Sequence, residues 1–220
     1  MVSLIDEGVG RVLTALERAG LDDNTIVIFT SDHGDYLGDH GMIRKGPHVY
    51  DALTHVPLII RWGDRFAPRS TTALVANIDF FPTICAAAGI DVPPQVHGEN
   101  LLPLLDGTVD TVRDKLFLEH GNPGLPLQPG DLSDDESLRL CNGHDHHLCK
   151  EIYQGRTIAV RTDRWKYIFN TGDVDELYDL HADPGELINV ASRPENAALV
   201  AGFRADLLEW RTTTEDTLGC

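Results

Sequence analysis

The residues with the most chemistry in their spacing lie between positions 31 and 48, in the run SDHGDYLGDHGMIRKGPH. Asp32 and His33 are adjacent and stand one residue, Ser31, beyond the β-branched apolar run TIVIFT at 25–30. A carboxylate and an imidazole at a strand end, where the backbone has left the ladder, can turn toward one point and hold a divalent cation. Oxygen ligands suit Ca²⁺ or Mg²⁺, and the ring nitrogen also admits Mn²⁺ or Zn²⁺. The same pair also serves as a cap or hydrogen-bonding turn, and spacing alone leaves both uses open. Lys45 sits in a loop flanked by Gly41 and Gly46, where a flexible point cation can approach a tetrahedral oxyanion. A solvated surface lysine is the competing use. His40 and His48 share the loop and are candidates for lining a pocket, against a structural or solvent-facing role. Farther along, Cys141, His144, His146, His147 and Cys149 invite a zinc hypothesis, but their spacing is not a standard structural zinc pattern. A surface lid rich in polar histidines is the alternative.

These residues need elements to hold them. The first twenty residues place Leu4, Ile5, Val9, Val12, Leu13, Leu16 and Ala19 at helical spacing, and Gly20 supplies a stop. Asp22, Asp23 and Asn24 form a turn into the strand at 25–30. Helix, short loop and buried strand in succession are the unit of an α/β sheet, whose strand ends bind ligands. VPLIIRW at 56–62 reads as a second buried strand, and NIDFFPTICAAAGI as a helix with Asp79 as N-cap, Pro82 in the first turn and Gly89 as stop. KLFLEH at 115–120 is a third strand. Residues 121–150, rich in proline and glycine, read as an insertion or lid. Beyond it RTIAVRT and WKYIFN suggest a hairpin, DELYDLHADPGELINVA a strand with a Pro-Gly turn, and 194–211 a final amphipathic helix.

Composition sets the outer bounds. The 220 residues are 42% hydrophobic, which excludes intrinsic disorder, and carry a net charge of −17. That acidity argues against a nucleic-acid partner, since phosphate neutralisation needs a basic face. It makes an anionic substrate awkward unless a metal or local cations reverse the field. No apolar run approaches the length of a membrane-spanning helix, and the opening residues lack a basic leader. Four scattered cysteines imply a reducing compartment, and a cytoplasmic location is the expectation.

The run SDHGDYLGDHG followed by KGPHVYDALTHVPLIIRW, with VSLIDEGVGRVLTALERAGLDDNTIVIFT before it and HGENLLPLL and LYDLHADPGELINVA after it, resembles the second half of a sulfatase catalytic domain, in the alkaline-phosphatase-like superfamily. The resemblance spans the chain except 121–150. It implies a mixed, mostly parallel α/β sheet with flanking helices over 1–120, the insertion over 121–150 and an antiparallel subdomain with a terminal helix over 151–220. It places Asp32 and His33 on the family's second pair of metal ligands, in the Asp-His variant of iduronate-sulfatase-like and phosphonate-monoester-hydrolase-like members. It implies Ca²⁺ foremost, with Mg²⁺ or Mn²⁺ as alternatives, and places Lys45 on the lysine that contacts the sulfate. Metal-dependent hydrolysis of a small-molecule or saccharide sulfate ester is the implied function. Phosphate or phosphonate ester hydrolysis is the alternative within the superfamily, and a non-catalytic remnant or binding protein the alternative outside it. The family nucleophile, a formylglycine made within C/S-x-P/A-x-R, has no counterpart: the cysteines read CAAAG, CNGHD and CKEIY with Cys220 last, and SRPEN at 192–196 lacks the arginine. The family's first Asp-Asp ligand pair is also absent. The sequence thus reads as a second half that does not turn over alone and calls for a complementing N-terminal half or oligomerisation.

Overall fold

The computed structural model describes residues 2–46, 48–121 and 156–214. Beyond Gly121, the insertion read at 121–150 lies outside the described residues, and with it the cluster from Cys141 to Cys149. The chain divides into two compact units interleaved in sequence. The first takes Met1–Asp32, Val56–Ala73 and Asn77–Val112, and the second His33–His55, Leu74–Ala76 and Arg113–Cys220.

In the first unit, helix α1 (Val2–Ala19) ends at Gly20, whose φ of 65° is the left-handed value that lets the chain turn out of a helix. Strand β1 (Ile26–Thr30) then pairs antiparallel with β2 (Leu58–Trp62), with Ile28 opposite Ile60. The architecture is mixed α/β, as the sequence implies, but among the described residues every strand pairing is antiparallel. The reason is local. Among the described residues the connection from β1 to β2 holds only a short 3-10 turn (Asp39–Gly41) and the four-residue helix α2 (Asp51–Thr54), with no crossover helix, so β2 returns against its neighbour.

Helix α3 (Phe80–Ala88) stops at Gly89 with φ 69°, as expected. Its start differs from the expected cap. Asp79 makes no side-chain bond to its own helix; its Oδ1 instead accepts the Glu99 amide at 2.8 Å, and the residue is completely buried. Thr83 completes the tie: its hydroxyl donates to Asp79 O at 2.6 Å and accepts from Leu101 N at 2.9 Å, anchoring the chain just before helix α4 (Leu102–Leu105). The carboxylate is thus spent on a long-range backbone donor, which a local capping rule does not anticipate.

The second unit is built on a four-stranded antiparallel sheet in the order β3 (Leu116–His120), β4 (Thr157–Arg161), β5 (Trp165–Asn170), β6 (Glu176–Asp179). The expected hairpin forms, with Arg161 opposite Lys166. Strand alternation sends successive side chains to opposite faces, and both faces are covered. On one, Ile158, Val160, Tyr167 and Leu177 pack with Phe203 and Leu207 of helix α5 (Ala197–Thr214). On the other, Ala159, Ile168, Tyr178 and Leu180 pack with Tyr36, Val49, Tyr50 and Leu53. Each fully buried Val, Leu, Ile or Phe among them contributes about 1.5–3 kcal/mol. Tyr36, Val49, Tyr50 and Leu53 therefore seat the chain around His40, Lys45 and His48 on the C-terminal sheet.

Candidate functional site

Asp32 closes the first unit, exposed, two residues beyond the end of β1. Asn77 Nδ2 donates to the carbonyl of Ser31 at 3.3 Å, which holds the chain where it leaves the strand. His33 opens the second unit and is also exposed. Its Nδ1 lies 2.7 Å from the carbonyl oxygen of Gly34. A carbonyl only accepts, so Nδ1 carries the proton, and in the neutral ring Nε2 bears the lone pair. Gly34 is fixed in turn: its amide donates to Leu53 O at 2.8 Å. A Cβ there would fall deep inside the radius of Ala52 O and lie 3.0 Å from Ala52 C and 3.1 Å from Leu53 Cα. Only glycine permits this approach of loop to helix.

From Asp35 to Gly46 the chain folds on itself. Asp35 Oδ1 accepts the amides of Leu37 at 2.9 Å and Arg44 at 3.1 Å, and Tyr36 N donates to Arg44 O at 2.9 Å. The tight path forces positive φ at Leu37 (47°), His40 (52°) and Arg44 (65°), a conformation that costs each non-glycine residue of order 1–3 kcal/mol. Gly46 rests on the ring of buried Tyr36, where a Cβ would stand 3.2 Å from Cε2. Lys45 lies between these two fixed points and is exposed. Among the described residues, Lys115 pairs with Asp206 and Lys166 with Asp51 and Glu186, whereas Lys45 has no carboxylate partner.

His40 and His48, both half-buried, stack on one ring. The His40 and Tyr50 centroids are 4.0 Å apart with planes 4° from parallel, and those of His48 and Tyr50 are 5.2 Å apart at 24°. The Tyr50 hydroxyl donates to Glu176 Oε2 at 2.9 Å, which also accepts from Tyr178 at 2.5 Å, while Asn170 Nδ2 donates to Oε1 at 2.7 Å. Burial and the neighbouring Glu176 carboxylate push both phenols well above the ordinary tyrosine range.

Below this layer lies a charge cluster that sequence reasoning missed. Lys166 is wholly buried, and its Nζ contacts Asp51 Oδ1 at 2.6 Å and Glu186 Oε1 at 2.9 Å. Arg161 reaches Asp51 Oδ2 at 3.3 Å, and Glu186 Oε2 accepts the Asp51 amide at 2.5 Å. Burial pushes the Asp51 carboxyl up, but Lys166 and Arg161 outweigh it and hold it below its ordinary value. Burial dominates at Glu186 and raises its carboxyl against the pull of Lys166. Sequence carries little signal for this cluster, because WKYIFN reads as an ordinary strand and its lysine as a solvated residue.

A family profile described as Sulfatase matches residues 1–90, the stretch that contains Asp32, His33, His40, Lys45 and His48. An N-acetylglucosamine-6-O-sulfatase of Bacteroides thetaiotaomicron is 33% identical over 89% of this chain and 32% of its own length. The chain belongs to the sulfatase family. Its alkaline-phosphatase-like fold matches a protein solved in complex with its substrate D-glucosamine-2-N,6-O-disulfate, at TM-score 0.78 and 29% identity over 98% of this chain and 40% of that one. It also matches the phosphonate monoester hydrolase of Agrobacterium radiobacter, at TM-score 0.77 and 32% identity over 97% and 40%. This sulfatase-family chain spans about a third of the length of the curated relatives it matches. Among its described residues no three His, Cys, Asp or Glu side chains converge as a ready-made cation cage, and no helix is long and apolar enough to cross a membrane.

Proposed function

We propose that this chain is the sulfate-binding part of a sulfuric-ester hydrolase. Lys45 contacts the sulfate, and Asp32 and His33 supply two of the ligands to a divalent cation. The observation that carries this reading is the pairing state of Lys45: within a chain of net charge −17 it is an exposed ammonium with no carboxylate partner among the described residues, on a loop closed at both sides. An ammonium so placed lowers the energy of negative charge on a sulfate oxygen.

The pair at 32 and 33 fits a cation. The Gly34 carbonyl sets the His33 tautomer, leaving the lone pair on Nε2 as a ligating imidazole requires, and orienting bonds of this kind accompany metal-bound histidines. Asp32 adds a hard oxygen donor, so Ca²⁺, Mg²⁺ and Mn²⁺ suit the set. A bound cation would supply Lewis-acid neutralisation of the sulfate oxygens. Two ligands alone give weak affinity.

Formylglycine does not fit. None of the cysteines or serines stands in C/S-x-P/A-x-R, so no step through that group is assigned to these residues. The 220 residues therefore bind anion and metal without turning over. The relationship to a phosphonate monoester hydrolase favours a second reading, in which the same residues receive a phosphonate or phosphate ester.

Calorimetric titration of the purified chain with Ca²⁺ or Mn²⁺ and inorganic sulfate, beside an assay on an aryl sulfate and an aryl phosphonate, tests both parts. Binding of sulfate that is weakened but still measurable in Lys45→Ala is the expected result. An absence of sulfate binding would overturn the assignment of Lys45, and robust hydrolysis by the purified chain would overturn its lack of turnover.

A further inference from the structure

We propose that Lys166 is a positioning residue for the anion-binding loop, holding the segment from Lys45 to Asp51 against the C-terminal sheet; this rests on the reading of Lys45 as the sulfate contact. The juxtaposition is specific. Lys166 comes from β5, Arg161 from β4, Glu186 from the turn after β6 and Asp51 from the first position of α2, and all four meet in one cluster.

Two features set this cluster apart from an incidental ion pair. Lys166 is inaccessible to solvent and Glu186 is 2% exposed, so neither is a surface charge screened by water. Glu186 also has φ 55°, a left-handed conformation that a non-glycine residue adopts only when its surroundings hold it. From that geometry its Oε1 forms an ion pair with the Lys166 ammonium and its Oε2 accepts a hydrogen bond from the Asp51 backbone amide. The start of α2 is thus gripped by side chain and main chain together.

Asp51 lies six positions after Lys45, and the described residues between them are held in place. Val49 and Tyr50 are buried on the sheet, and Gly46 lies against Tyr36. On the other side of Asp51, Leu53 O receives the amide of Gly34, the residue whose carbonyl orients His33. One anchor at Asp51 therefore serves both sides of the loop: Lys45 upstream through the buried Val49 and Tyr50, and His33 downstream through Leu53. Two cations and two carboxylates balance, so the cluster holds the loop without consuming the positive charge of Lys45.

Lys166→Met removes the ammonium at nearly constant shape. In the full 220-residue chain, amide exchange of residues 48–54 is expected to quicken by about tenfold or more while the centres of β4 and β5 keep their protection. Inorganic sulfate should bind about 2- to 160-fold more weakly, the range for coupled groups, and Lys45→Ala combined with Lys166→Met should bind no more weakly than Lys45→Ala alone. A role in stability alone would leave the two losses additive. If Lys166→Met does not fold, Glu186→Gln is measured instead, with the same directions expected. Unchanged exchange at 48–54 in a folded variant would overturn the proposal, as would additive losses of sulfate affinity. If the wild-type chain binds no sulfate, the role of Lys45 falls, and the exchange measurement alone decides whether Lys166 holds the loop.

Discussion

Replacing Gly34 with alanine tests the foundation of the site most sharply, because the added methyl group has nowhere to go. Its Cβ would lie deep inside the radius of Ala52 O, 3.0 Å from Ala52 C and 3.1 Å from Leu53 Cα, all backbone atoms that no rotamer change can move. The loop must retreat from α2 and stretch or break the 2.8 Å bond from Gly34 N to Leu53 O. Losing that bond costs about 1 kcal/mol, and relieving the overlap about 1–3 kcal/mol, so the total is about 2–4 kcal/mol. For a chain of this size that lowers the melting temperature by about 4–16 °C. The same movement displaces the carbonyl that fixes the His33 tautomer, and loss of an orienting partner weakens metal binding by about 10- to 100-fold. Calorimetry measures the first effect and Mn²⁺ titration the second. Gly10→Ala is the control: Gly10 lies within α1 with nothing within 4 Å of its Cβ, so alanine should stabilise by up to about 1 kcal/mol. A Gly34→Ala chain with unchanged melting temperature and Mn²⁺ affinity would refute the reasoning.

Two titrations probe the layers beneath the loop. The folded Asp51 carboxyl sits below its unfolded value, so its stabilisation is complete above about pH 4 and is lost as pH falls through the folded value. The raised Glu186 carboxyl acts in the opposite sense and favours the folded state as it gains its proton. Unfolding free energies from urea titrations between neutral and acid pH should fall more steeply for the wild type than for Asp51→Asn, by up to about 1.4 kcal/mol per pH unit; parallel curves would count against the Lys166–Asp51 pairing. At the alkaline end, Tyr50, Tyr167 and Tyr178 all have raised phenols, chiefly through burial. Their stabilisation is complete below the unfolded value of about 10 and is lost as pH rises through the folded values, so phenolate absorbance should lag and appear with unfolding. Three phenols ionising near pH 10 in the folded chain would contradict the Glu176 contacts of Tyr50 and Tyr178 and the hydrogen bond that the Tyr167 hydroxyl donates to Asp175 Oδ2.

Much of the fold was legible because its signals are local. α1, its Gly20 stop, the two strands at 25–30 and 56–62 and the hairpin of β4 and β5 each follow from periodicity and turn residues inside one short window. Asp32, His33 and Lys45 were legible as candidates through residue type and order. What was hidden depends on partners distant in sequence. Asp79 reads as a helix cap but is recruited by Glu99, twenty residues on. Lys166 reads as a strand lysine but is buried by Asp51 and Glu186. His40 and His48 read as pocket residues, and their stacking on Tyr50 appears only once the C-terminal sheet is in place. Strand direction was equally obscure, since an apolar run states burial and not which neighbour it meets.

Asp32 and His33 are proposed to supply two of the ligands to a divalent cation. Paramagnetic broadening of the histidine ring resonances by substoichiometric Mn²⁺ tests it directly. His181, exposed and paired with Asp163 at 3.0 Å, serves as the internal reference for a histidine beside a single carboxylate. The His33 resonance is expected to broaden first, and Asp32→Ala to abolish the effect while leaving His181 unchanged. Broadening of His181 before His33, or broadening of His33 that survives Asp32→Ala, would contradict it.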